Sequence, residues 1–104
     1  MIPKVFQEFM KKLLQETEDG ALVWSEGDYE SFVCDHKNST LIIRRNFDEE
    51  RDRDYVVFRF ISGEKNTPFS VSDADADYQQ MVRIYDAVVA NANDVSADLD
   101  NFFD

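Results

Sequence analysis

The hydrophobic period of this chain changes twice, and each change marks a switch of secondary structure. From Pro3 to about Glu18, Val5, Phe6, Phe9, Met10, Leu13 and Leu14 recur every three to four residues. That spacing puts one apolar stripe on a helix. Pro3 suits a first helical turn, where a missing N–H costs nothing, and Gly20 suits the stop. Beyond it the period becomes two. Tyr29 to His36 predicts a strand with Phe32, Cys34 and His36 on one face. Lys37-Asn38-Ser39 is a polar turn, and Thr40 to Arg45 is the next strand. Tyr55 to Ser62 has the clearest alternation. It sets Val56, Phe58 and Phe60 against Tyr55, Val57, Arg59 and Ile61. Phe69 to Val71 is a short last strand, which Pro68 confines to an edge or a strand end. Ala21 to Trp24 is either a first strand or a bridge.

The helical period then returns. Tyr78, Met81, Val82, Tyr85, Val88, Val89 and Ala92 form a second stripe. Ser72 or Asp73 is the expected cap, and Asp73, Asp75 and Asp77 complement the positive end of the helix dipole. The order is an N-terminal helix, an antiparallel β-meander of three or four strands, a C-terminal helix and a short acidic tail. Short polar connections favour hairpins over parallel crossovers. Both stripes need an apolar partner, and the Val56-Phe58-Phe60 face offers one, giving a two-layer α+β fold. The expected core holds Phe6, Phe9, Leu13, Phe58, Phe60, Val82, Tyr85 and Val89. Residues 1–93 form a single domain in this reading. Residues 94–104 are an acidic tail or a short helix packed on it, with Val95, Leu99, Phe102 and Phe103 spaced three to four apart.

Charge narrows the function. The chain has 22 Asp and Glu against 11 Lys and Arg, a formal net charge of −11. No base lies between Leu13 and His36, or between Ile84 and Asp104. Such a chain repels nucleic acid and anionic membrane and attracts basic protein surfaces. No leader or membrane-spanning stretch is visible, and one cysteine excludes an internal disulfide framework, so a cytoplasmic setting is expected.

At this level the chain resembles small acidic proteins of phages and other mobile elements, which share a helix, a β-meander and a closing helix. The resemblance is one of pattern over most of the chain, and no residue role comes with it.

Chemical motifs are weak. Asp73-Ala-Asp75-Ala-Asp77 opens like a calcium loop, but Tyr78 stands where the loop needs glycine and Ile84 where it needs glutamate. Cys34 and His36 share a strand face about 7 Å apart, long for a nucleophile pair, and zinc lacks further ligands. Arg44, Arg45, Arg51 and Arg53 are the only basic cluster. Asp48, Glu49, Glu50, Asp52 and Asp54 interleave with them, so local salt bridges outweigh a nucleic-acid site. No catalytic residue, cofactor or metal is expected.

Two functions from different classes follow. The first is a non-enzymatic inhibitor that presents carboxylates to a basic, nucleic-acid-binding surface of a partner protein. Phage counter-defence, as in inhibitors of CRISPR effectors, and immunity against nuclease toxins are its natural settings. Asp73, Asp75, Asp77, Asp94, Asp98 and Asp100, with the aromatic anchors Phe102 and Phe103, are the candidate contacts. Asp73 and Asp77, four apart on a helix, are expected to face away from the sheet. The alternative is an adaptor subunit that homodimerises through the outer sheet face at Tyr55, Val57 and Ile61. Trp24 is expected to plug an end of the core.

Overall fold

The computed structural model describes residues 1–104. A 3-10 turn, Lys4–Phe6, leads into α1 (Gln7–Glu18). Five strands follow: β1 (Ser25–Glu26), β2 (Ser31–His36), β3 (Ser39–Asp48), β4 (Arg53–Ser62) and β5 (Lys65–Ser72). The chain closes with α2 (Tyr78–Asn93) and α3 (Ser96–Asn101). The sheet is an antiparallel meander in the order β1-β2-β3-β4-β5. No helix is long and apolar enough to cross a membrane.

The α+β, two-layer expectation holds, with five strands in place of three or four. The extra strand is β1, two exposed residues with no alternation to reveal them. It forms just after the predicted Ala21–Trp24 segment by pairing Ser25 with Val33 and Glu26 with Phe32. The charged loop expected from Phe47 to Asp54 shrinks to four residues, because pairing continues through Phe47↔Asp54 and Asp48↔Arg53. Asp48 then accepts hydrogen bonds from the backbone N–H groups of Glu50 and Arg51, which tightens the turn. Pro68 sits on the edge strand β5, where its missing N–H breaks no interior ladder.

Register decides what is buried. One row across the sheet runs Phe32–Ile43–Phe58–Phe69. Cys34, Leu41, Val56 and Val71 lie on the same face, and all eight are buried. Phe6, Met10 and Leu13 descend on this face from the N-terminal helical segment, and Met81, Ile84 and Val88 from α2. Phe6 packs its ring on Phe58 and Phe69 at centroid distances of 6.1 and 5.1 Å.

Of the expected core, Phe58 is fully buried and Phe6 and Leu13 are buried. Phe60, Val82, Tyr85 and Val89 are half-buried and pack at its margin, and Phe9 is 36% exposed. The reason lies in α2, which packs against both the sheet and α1. Its buried line is therefore the seam between the two contacts, Met81-Ile84-Val88, and Val82, Tyr85 and Val89 flank it.

One ion pair faces the helices. The guanidinium of Arg45 donates to Asp54 and, at 3.0 Å, to the Tyr78 hydroxyl, and lies over the Tyr85 ring. The Tyr78 hydroxyl donates to the same Asp54 carboxylate at 2.5 Å. Burial alone would raise the Asp54 pKa, but the bonds from Tyr78 and Arg45 outweigh it and hold the carboxyl below the ordinary 3.8. A carboxyl acidified by folding stabilises the fold fully above its unfolded pKa and loses that contribution as pH falls through the folded value. Urea midpoints should therefore drop as pH falls below about 4. Asp54→Asn should flatten that drop and lower the midpoint at neutral pH; an unchanged acid profile would remove Asp54 from the acid response.

Candidate acidic binding surface

The carboxylates at 73–77 are committed internally, contrary to the expectation that they are free to meet a partner. Residues 73–77 form turns and α2 begins only at Tyr78, with no side-chain cap at Asp77. Asp73 pairs with Arg53 at 3.1 Å and accepts the Asp54 backbone N–H at 3.2 Å. Asp75 accepts the Ser72 backbone N–H at 2.9 Å and pairs with the Met1 amino group at 2.6 Å. Bonds from that amino group and from Ser72 lower its pKa. Asp77 accepts the Ile2 backbone N–H at 2.7 Å, and its other oxygen is buried without a partner. These acids tie the chain start and β5 to the head of α2, because unsatisfied backbone N–H groups at a β-to-helix junction need acceptors.

Five other acids, Glu18, Glu26, Glu30, Asp86 and Asp94, gather at two clefts and form an acidic pole. Twelve of the 22 Asp and Glu, and none of the 11 Lys and Arg, lie in residues 13–36 and 84–104. The rest of the chain holds ten acids against eleven bases, so the two base-free segments carry all of the net negative charge. One side chain fastens them together. The Asn91 carbonyl accepts from the Trp24 backbone N–H at 2.8 Å, and its amide donates to the carbonyls of Thr17 (3.1 Å) and Leu22 (2.7 Å). The Trp24 indole N–H donates to the buried Thr17 hydroxyl at 3.1 Å, so Trp24 plugs this end of the core, as expected.

Two clefts follow from this junction. In one, of about 400 Å³, Glu18 of α1 faces Asp94 and Ser96 beyond α2. In the other, of about 460 Å³, Glu26 of β1 and Glu30 of the β1–β2 loop meet Asp86 of α2 over Phe32 and Tyr85. The charge of Glu30 adds to burial in raising the Tyr85 pKa. At the loop tip Tyr29 is 90% exposed, and Tyr29 and Glu30 take successive positive φ values of 56° and 61°. Glu18, Glu26, Glu30 and Asp86 were not among the residues singled out from sequence. The absence of bases around them was their signal, but only the fold joins the two gaps.

Asp94 is the left-handed cap residue of α2 and turns the chain into α3. Asp98 and Asp100 are exposed on α3, which buries no side chain. Leu99, Phe102 and Phe103 are 66, 76 and 92% exposed, the two rings meeting edge to face at 4.8 Å. Both long helices lie on one side of the sheet, so Tyr55, Val57 and Ile61 sit on a face that no other element covers, half-buried by their own neighbours.

The Cys34–His36 pair does not form a reactive site. Cys34 is buried, and burial followed by the charge of Asp35 pushes its thiol pKa up, while His36 is exposed. No group of three or more His, Cys, Asp or Glu is disposed to hold a metal ion. The basic cluster is largely spent on local pairs, Arg45 with Asp54, Arg51 with Asp48 and Arg53 with Asp73. Comparison with protein-family models, curated proteins and solved structures finds no match to this chain.

Proposed function

We propose that this protein is a small, non-enzymatic inhibitor that docks its acidic pole on a basic, nucleic-acid-binding surface of another protein. The observation that carries this reading is the segregation of charge, since the whole net charge lies in two segments that Asn91 holds together. Carboxylates at such a pole stand where phosphates would, and a one-signed field speeds encounter with an oppositely charged groove. Phage counter-defence and nuclease immunity are the settings this chemistry fits. The reading rests on Glu26, Glu30, Asp86 and Asp94, which make no ion pair, and on Glu18, which meets Arg83 only at 3.9 Å, rather than on Asp73, Asp75 and Asp77, each held by an ion pair or a backbone N–H.

The test is capture from a host lysate at low and high salt, followed by competition with duplex DNA. Captured proteins should be nucleic-acid binders, released by salt and displaced by the duplex. Reversing Glu26, Glu30 and Asp86 to lysine should slow association about tenfold or more and change dissociation much less, because steering acts on the on-rate. Capture that ignores salt, duplex and this triple reversal would sink the reading.

The uncovered sheet face supports a second reading, a subunit that associates with its own kind.

A further inference from the structure

We infer that the acidic, aromatic tail of one molecule docks on the outer sheet face of a second copy, so that two molecules pair by exchanging tails. The face is a checkerboard. Register sets Arg44 beside Val57, Ile42 beside Arg59 and Thr40 beside Ile61, so Ile42, Val57 and Ile61 alternate diagonally with two guanidinium groups. Arg44 and Arg59 make no ion pair within 4 Å; Arg59 reaches only the Asn66 side-chain oxygen, at 3.5 Å. In a chain with twice as many acids as bases, two unpaired arginines amid apolar side chains mark a surface suited to an anionic, apolar ligand.

The tail has the complementary composition. Leu99, Phe102 and Phe103 are exposed, and Asp98, Asp100 and Asp104 interleave with them. A simple face-to-face dimer fits less well, because it would bring Arg44 and Arg59 of both copies together, and opposed like charges are costly. Docking within one molecule fits less well too. The tail leaves α2 on the helix side of the sheet, and its own outer face lies behind the strands. A second copy supplies both halves without that detour, and the exchange is reciprocal, as a two-fold dimer requires.

This inference rests on the self-associating reading of the sheet face; it uses the tail acids Asp98, Asp100 and Asp104 and none of Glu18, Glu26, Glu30, Asp86 and Asp94. It is tested by sedimentation of the full chain over micromolar to millimolar concentration. The native chain should form a dimer that weakens with salt. Phe102→Ser with Phe103→Ser, and separately Arg44→Glu with Arg59→Glu, should each raise the dimer dissociation constant at least tenfold. The tail substitutions fall on exposed side chains, so unfolding midpoints measured below the dimer dissociation constant, where association adds nothing to stability, should not move. Mixing the two variants, one with an intact tail and one with an intact face, should restore a heterodimer. A native chain that stays monomeric throughout overturns the inference. So does a dimer that ignores the tail variant yet dissociates with Val57→Lys; that outcome would leave the sheet face as an interface and remove the tail from it.

Discussion

Phe58→Ala should lower the free energy of unfolding by about 3–5 kcal/mol, the range for a buried phenylalanine truncated to alanine. Phe58 is fully buried on the central row of the sheet, between Ile43 and Phe69, with Phe6 above it at 6.1 Å. The ring touches two strands and the helical layer together, so no single element can move to fill the space. The cavity term therefore adds to the lost transfer term. Urea unfolding followed by circular dichroism measures it. The midpoint should fall while the denaturant slope stays the same, since the native surface hardly changes. A loss under about 1 kcal/mol would place this strand face outside the core.

Asn91→Ala should cost about 2–4 kcal/mol, a large effect for a polar residue on a helix. Three backbone groups, the Trp24 N–H and the carbonyls of Thr17 and Leu22, lose their partner at once. Each part-buried group left unsatisfied costs about 1–3 kcal/mol, less whatever water recovers. The single tryptophan reports the change directly. Its emission should shift to longer wavelength in the variant, because Trp24 is held in the core beside the same junction. Asn91→Asp should be no milder, since it removes the amide donor and sets a negative charge against two carbonyl oxygens. If the native spectrum and the native midpoint both survive Asn91→Ala, the junction is not held by this side chain. The acidic pole would then need another explanation for its geometry.

Much of the fold was legible because periodicity reports burial. The alternation of Tyr55 to Ser62 became β4 with Val56 and Phe58 inside, and the first stripe became the N-terminal helical segment. What periodicity missed were features with no period of their own. β1 exists only because β2 offers an open edge, and nothing in Ser25–Glu26 announces it. The Asp73-Ala-Asp75-Ala-Asp77 run resembled a helix start. The same carboxylates proved more useful as acceptors for backbone N–H groups left open at Ile2, Asp54 and Ser72, and α2 starts only after them.

By itself, then, the sequence determined the class of fold, the faces of β2 and β4 that turn inward and the sign of the surface, because hydrophobic period and charge are properties of the chain. Which line of α2 is buried was decided by the tertiary structure, because that helix must satisfy the sheet and α1 together. So was the acidic pole. Residues 13–36 and 84–104 are remote in sequence, and the packing of α2 on α1 and the sheet, with the three hydrogen bonds of Asn91, brings Glu18 to Asp94 and Glu26 and Glu30 to Asp86. Charge is additive along a chain, but a field depends on where folding puts the charges.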